Sequence, residues 1–191
     1  MAGPFLRLVR SYEAFLQIEF TRKPLLGLMF LLFLLPRGGL LFLVLLFFAA
    51  ALLPRDVQSR HIGLYLALPF TRVSLFFFSF LTGIFLILLG ALISGALLGD
   101  TSWPSKFITM GIFFTTSFAL SLIGAAAGRD TLTLPVLFTF TDVMTGAALG
   151  VDHPFRFFSP FYQSDPFYAG LVAFLLLAAA LVQYLVVGKR L

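Results

Sequence analysis

Residues 55–72 hold the densest group of side chains that could bind a partner or do chemistry. The members singled out for partner binding are Arg55, Asp56, Gln58, Arg60, His61 and Tyr65. A bare connection between two membrane spans needs only a few polar residues. This segment has a charged start and then a stretch, 62–68, that can lie along a membrane surface. The pattern indicates a surface that receives a soluble partner; the alternative is a solvated loop that only fixes topology.

Two further polar sites interrupt the apolar sequence. Arg129 and Asp130 form a short charged connection between two apolar runs. Asp142 is the only acidic residue well inside a predicted span. An ionisable group inside the bilayer is costly and indicates function by default. Asp142, Thr139 and Thr145 are therefore a candidate substrate path. Two alternatives stay open: Asp142 bonds to a threonine of its own helix, or the span is shifted and Asp142 lies near the outer interface.

Residue type argues against several kinds of chemistry. The chain has no Cys, which removes disulfides, thiolate metal sites and cysteine nucleophiles together. His61 and His153 are predicted on opposite sides of the membrane, so they cannot share a metal ion. An intramembrane enzyme acting on lipid would need His, Asp or Glu clustered at one depth, and the predicted spans hardly contain such residues. The sequence also lacks a Gly-x-x-x-x-Gly-Lys-[Ser/Thr] loop for binding ATP.

The composition is that of a membrane protein. Of 191 residues, 60% are hydrophobic and 11% are charged, and the mean hydropathy is +1.05. A soluble domain of this size exposes too much surface to hide that many apolar side chains. The net charge of +5 is interpreted as basic loops held in the cytoplasm rather than as a nucleic-acid surface.

The apolar runs predict an all-α, polytopic membrane protein with both ends in the cytoplasm. Residues 1–191 are interpreted as one transmembrane domain with six transmembrane helices. Its parts are an interfacial amphipathic helix at 5–21, a first helical hairpin at 22–54, a cytoplasmic coupling segment at 55–72 and four further spans within 73–191. In the first helix, Glu19 and Lys23 are spaced for an i,i+4 ion pair.

The distribution of basic residues supports six spans. With residues 22–54 as a hairpin that turns at Pro36-Arg37-Gly38-Gly39, only three of the 13 Lys and Arg residues lie outside: Arg37, Lys106 and Arg156. A single pass through residues 25–53 would remove this positive-inside bias. Small residues also recur at four-residue spacing, which lets helices approach closely. These pairs, Gly95–Gly99, Gly124–Gly128 and Gly146–Gly150, favour packing within the chain over a dimer seam.

The run Leu66-Ala67-Leu68-Pro69-Phe70-Thr71-Arg72 closes the 55–72 segment. With the charged residues before it, the segment resembles the first cytoplasmic loop of ABC-2 type transporter permeases. In that family a charged amphipathic helix ends in Leu-x-Leu-Pro-x-[Ser/Thr]-Arg before the third span. The order of the remaining parts is also similar, including Ser159-Pro160-Phe161-Tyr162 before the last span. The acidic residue and the Gly-Thr-Leu-Glu-like core common in the family are replaced by residues 60–65.

The resemblance implies a permease subunit of an ATP-driven exporter in the cytoplasmic (inner) membrane, surrounded by lipid. Cytoplasmic ABC ATPase subunits would hold ATP and Mg, and a second permease copy or a related permease subunit would complete the complex. The chain itself would be no enzyme and would bind no cofactor. Its ATPase-coupling residues would be Arg55, Asp56, Gln58, Arg60, His61 and Tyr65, with a smaller contact at Arg129 and Asp130. The alternative function is a non-transporting accessory subunit of a larger membrane complex.

Overall fold

The computed structural model describes residues 4–24, 39–59, 70–99, 101–150 and 153–187. Within these ranges every regular element is a helix, which confirms the predicted all-α class. The helices are α1 (Pro4–Arg22), α2 (Gly39–Ala51), α3 (Leu53–Gln58), α4 (Arg72–Leu98), α5 (Trp103–Ala126), α6 (Thr133–Leu149), α7 (Phe155–Phe158) and α8 (Pro166–Val187).

Three of these helices are long and apolar enough to cross a membrane, namely Arg72–Leu97, Trp103–Ala126 and Pro166–Val187. They coincide with the apolar runs at 73–98, 107–127 and 167–187, which are the predicted third, fourth and sixth spans. Shorter apolar helices, Leu41–Ala51 and Thr133–Leu149, coincide with the second and fifth. The first predicted span lies mostly outside the described residues. The chain is thus a helical protein with the composition and helix lengths of a membrane protein.

The start of α4 is set by local hydrogen bonds. The Thr71 hydroxyl accepts from the Ser74 N–H at 3.1 Å, and the Ser74 hydroxyl oxygen accepts from the Thr71 N–H at 2.9 Å. This reciprocal capping box satisfies two backbone donors that a helix start leaves without partners. The helix therefore begins at Arg72, where the sequence predicted that the third span opens.

Helix α1 packs its apolar side against α4. Phe15 is buried, and its ring lies 5.8 Å from that of Phe78 between centroids. One turn away, the Tyr12 hydroxyl and the Thr82 hydroxyl are 3.1 Å apart and share a hydrogen bond. The opposite side, including Glu13, faces outward. The predicted amphipathic pattern is thus present, and its apolar side faces the helix bundle over this part of α1.

A buried ion cluster joins the end of α1 to α3. The Lys23 ammonium lies 2.7 Å from a Glu19 carboxylate oxygen and 2.7 Å from an Asp56 carboxylate oxygen. It also donates to the Leu52 carbonyl at 3.3 Å. Both carboxylates are almost fully buried, so the ammonium replaces the water that they have lost. The predicted Glu19–Lys23 pair is confirmed, and Asp56 is an additional partner.

Helix α5 forms the centre of the bundle and packs against α2, α3, α4, α6 and α8. Its Phe114 and Phe118 are fully buried and lie against aromatic rings of α2 and α4. A Cβ at Gly83 would overlap the Phe114 ring, so the absent side chain allows α4 and α5 to approach closely. Because these rings are fully buried and closely packed, α5 can slide little against α2 and α4.

The predicted glycine pairs pack within the chain. The Trp103 ring lies against Gly95, a backbone carbonyl lies near Gly124, and the Tyr162 ring lies against Gly146. The second member of each pair has a positive φ and follows the end of its helix: Gly99, Gly128 and Gly150. Each pair therefore combines a close packing contact with a helix ending that glycine adopts without steric cost.

Replacing Lys23 by Met is expected to destabilise the fold strongly. It leaves the Glu19 and Asp56 carboxylates buried without their cation, which costs about 3 kcal/mol or more and lowers the midpoint of thermal unfolding by roughly 10 °C for a chain of this length. Lys23→Arg keeps the charge and retains most of the stability. Arg10→Met, on the exposed side of α1, is the matched control. Equal midpoints for Lys23→Met and Arg10→Met in detergent would refute a stabilising role for the cluster.

Candidate functional site

A cleft brings together residues from the two segments that the sequence singled out for partner binding. Its volume is about 310 Å³, and we call it the Arg55 cleft. It is lined by Phe47, Ala50 and Ala51 of α2, Arg55 and Gln58 of α3, and Asp130, Thr131 and Leu132 before α6. The cleft thus has an apolar wall, a basic wall and an acidic wall. Residues about 75 positions apart in sequence form one surface.

The orientation of α3 determines which of its side chains face the cleft. The helical conformation is interrupted at Leu52, between α2 and α3. The Leu53 N–H donates to the Ser79 hydroxyl of α4 at 3.0 Å. Pro54 lies in the first turn, where its missing N–H leaves no hydrogen bond unmade. Asp56 then faces the interior and binds Lys23, while the neighbouring Arg55 faces outward. Adjacent helical residues point about 100° apart, so one buried carboxylate fixes the direction of the other side chains.

The acidic wall is set by the connection from α5 to α6. After α5 ends, Gly128 adopts a φ of 74°, and the Arg129 N–H donates to the Gly124 carbonyl at 2.9 Å. One Asp130 carboxylate oxygen accepts from the Leu132 N–H at 3.0 Å. The carboxylate is exposed, and its charge lies at the α6 N-terminus, where the helix dipole favours it. The turn therefore holds a carboxylate at the edge of the cleft.

The predicted coupling residues divide into three groups. Arg55, Gln58 and Asp130 line the Arg55 cleft. Asp56 lies behind it in the ion cluster, and Arg129 is exposed in the turn beside it. The remaining predicted residues, Arg60, His61 and Tyr65, lie outside the described residues.

The charges that line the cleft are available to a partner. Among the described residues, the Arg55 guanidinium has no ion-pair partner, and the Gln58 side chain accepts and donates no hydrogen bond. The two Lys23 ion pairs, to Glu19 and Asp56, do not involve Arg55 or Asp130. A partner that presents complementary charge can therefore bind here without first breaking an internal salt bridge.

Asp142 lies in α6 and holds a turn of the polypeptide near the other end of the bundle. One of its carboxylate oxygens accepts from the Ser159 hydroxyl at 2.7 Å and from the Phe161 N–H at 3.1 Å. Both Asp142 and Ser159 are buried. The hydrogen bonds of this carboxylate thus go to a turn 17 and 19 residues further along the chain, rather than to a threonine of its own helix.

The other residues of the candidate substrate path are less buried. Thr139 and Thr145 are half-buried on α6. The exposed Thr141 hydroxyl donates to the Leu137 carbonyl at 2.8 Å, one turn back in the same helix. This local bond satisfies the hydroxyl within its own helix. Sequence reasoning placed Asp142 correctly inside a helix but did not pair it with Ser159, because no periodic pattern relates the two positions.

A separate apolar groove of about 510 Å³ lies between α4, α5 and α8. Its lining includes Phe77, Phe107, Phe174, Gly111 and Gly170. Its Thr115 hydroxyl already donates to the Gly111 carbonyl at 2.7 Å. The groove therefore presents hydrocarbon, with little to orient a polar ligand.

Comparison of the chain with family models, with curated proteins and with solved structures finds no match.

Cysteines introduced at Gln58 and Asp130 are expected to be linked by a short bis-maleimide, because both positions line the Arg55 cleft. The natural chain has no Cys, so the reagent meets only the introduced pair. The control pair is Gln58→Cys with Ser164→Cys, which lies beyond the Asp142-bound turn. The linked peptides, measured by mass spectrometry, should be at least tenfold more abundant for the cleft pair. Equal yields from the two pairs would contradict the geometry of the cleft.

Proposed function

We propose that the chain is the transmembrane permease subunit of an ATP-driven ABC-2 type exporter, and that the Arg55 cleft is where its cytoplasmic ATPase subunit docks. The single observation that carries the docking proposal is the convergence of Arg55, Gln58 and Asp130 on one cleft. The resemblance of residues 55–72 to a permease coupling loop supplies the identity of the partner. In this proposal Arg60, His61 and Tyr65 extend the same contact surface.

The cleft has the physical features of a protein-docking site. Its apolar wall, formed by Phe47, Ala50 and Ala51, can accept one apolar side chain of a partner. Arg55 and Asp130 at the two edges can pair with an acidic and a basic residue on either side of that side chain. An apolar anchor surrounded by polar contacts is the usual arrangement of an interface hot spot. Opposite charges at the two edges also fix the orientation of the partner.

The proposed docking surface is built to transmit force. Helix α3 is tied to α1 through Asp56 and Lys23, and to α4 through the Leu53–Ser79 hydrogen bond. A push on Arg55 therefore acts on two long helices at once, rather than on a free loop. In the proposed exporter, ATP-driven closure of the partner moves these helices together with α5, against which α4 is closely packed. The Phe-rich spans suit a hydrophobic or lipid-like substrate.

A photo-crosslinking residue in place of Gln58, in the full chain in its membrane, is expected to capture the partner. The captured protein should contain a Gly-x-x-x-x-Gly-Lys-[Ser/Thr] loop. Arg55→Glu and Asp130→Lys should each reduce the amount of adduct at least tenfold, because each places like charge against the partner. Arg10→Glu, an equally exposed reversal on α1, should leave the amount unchanged.

The possible results separate the competing functions. Capture of a protein without an ATP-binding loop would favour the accessory-subunit function. Absence of any adduct at position 58, with a folded chain in the membrane, would refute docking at the Arg55 cleft. Reduction of the adduct by Arg10→Glu to the same extent would show that net charge, rather than the cleft, governs binding.

A further inference from the structure

Residues 159–163 form a turn that is inserted between helices rather than exposed as a loop. The Gln163 N–H donates to the Ser159 carbonyl at 3.0 Å, which closes the turn. Ser159 and Pro160 are buried. The Phe161 ring lies 4.9 Å from that of Phe42 in α2 and 6.4 Å from that of Phe113 in α5, between centroids. The turn thus fills the space between α2 and α5 with an aromatic side chain.

The turn closes the end of the bundle opposite the Arg55 cleft. The Gln163 amide donates to the Thr109 carbonyl of α5 at 2.9 Å, whereas the cleft lies just beyond Ala126, where α5 ends. At about 1.5 Å per helical residue, these two points are about 26 Å apart along α5. That distance is most of the hydrocarbon thickness of a bilayer, about 30 Å.

Polar contacts with α6 hold the turn in place. Besides the two hydrogen bonds to Asp142, the Tyr162 hydroxyl donates to the Val143 carbonyl at 2.8 Å. Gln163 adopts a φ of 48°, which is unfavourable for a residue with a side chain. Its amide bonds to the Pro160 and Thr109 carbonyls stabilise that conformation. The turn is therefore a conformation held by specific partners, and it would relax if they were removed.

Gly146 and Arg156 complete the attachment. The Tyr162 ring covers Gly146, where a Cβ would overlap it. The Arg156 guanidinium donates twice to the Gly146 carbonyl, at 3.0 and 2.8 Å, and lies 4.3 Å from the Tyr162 ring centroid. This carbonyl is among the last four of α6, which lack a partner within the helix. A cation at this end also offsets the negative end of the helix dipole.

We propose that the 159–163 turn is a plug that closes this end of the bundle and that Asp142 is its latch. That the plug opens to let a substrate pass rests on the proposed transport function. The contacts to Asp142 and to the helix carbonyls are hydrogen bonds, which water can replace once the end opens. The Phe161 side chain, by contrast, leaves its pocket as one unit. A plug with these two kinds of contact has a closed state and an open state rather than a continuous range.

The shared acceptor makes the latch testable. One Asp142 oxygen receives both hydrogen bonds, so Asp142→Asn can keep both with its amide oxygen, whereas Asp142→Ala keeps neither. Gly146→Ala disturbs the plug at a different contact, because its methyl group displaces the Tyr162 ring.

The probe is a membrane-impermeant maleimide that labels Phe113→Cys, beneath the plug, in the otherwise Cys-free full chain in vesicles. Ala125→Cys, buried at the other end of α5, reports general loosening of the fold.

Asp142→Ala and Gly146→Ala are each expected to speed labelling at position 113 at least tenfold, with labelling at position 125 unchanged within twofold. Asp142→Asn should stay within threefold of the parent. Unchanged labelling at 113 in both variants would overturn the proposal. So would a parallel rise at 125, or an Asn variant that behaves like the Ala variant. The measurement needs no partner, so it stands even if crosslinking at Gln58 refutes the proposed function.

Discussion

The structure depends on one constraint: a charge withdrawn from water inside an apolar bundle must have a partner. Lys23 is the partner of two buried carboxylates, Glu19 and Asp56, and it thereby connects α1 to α3. A misoriented α3 that buried Arg55 and exposed Asp56 would break the Lys23–Asp56 ion pair and place a guanidinium in the apolar interior. Because such an arrangement costs several kcal/mol, the cluster selects one orientation of a helix too short to be stable alone. The composition of the Arg55 cleft follows from that selection.

The charged groups at the two ends of α5 differ in their exposure and in their hydrogen-bond partners. At the cleft end, Arg55 and Asp130 have no ion-pair partner among the described residues, and the cleft is open to a partner. At the Thr109 end, one Asp142 oxygen accepts two hydrogen bonds from the 159–163 turn, and Arg156 donates to the Gly146 carbonyl. Charged groups that are exposed can bind another molecule, whereas buried and satisfied ones hold the fold. The packed rings of Phe114 and Phe118 lie between the two ends and connect them rigidly.

The sequence predicted the helices better than it predicted their polar contacts. The apolar run located α4, because helix formation is local. The Glu19–Lys23 pair was predictable for the same reason. The Asp142–Ser159 bond was not, since it joins a helix to a turn and no local rule relates them. Arg55 and Asp56 carry equally strong signals in the sequence, and only the position of Lys23 decides which one faces inward.

The different fates of Arg55 and Asp56 bear on how a membrane protein presents a docking surface. A partner meets the chain where water and protein meet, so the residues that contact it must be exposed before binding. Holding such residues in place requires other charges just behind them, where a hydrogen-bonded pair is stiff and poorly screened by salt. Asp56 serves in this second layer, one residue from Arg55 in the first. In the proposed coupling segment, charge alone does not identify the contact residues: burial separates the exposed Arg55 from the buried Asp56 that would position it.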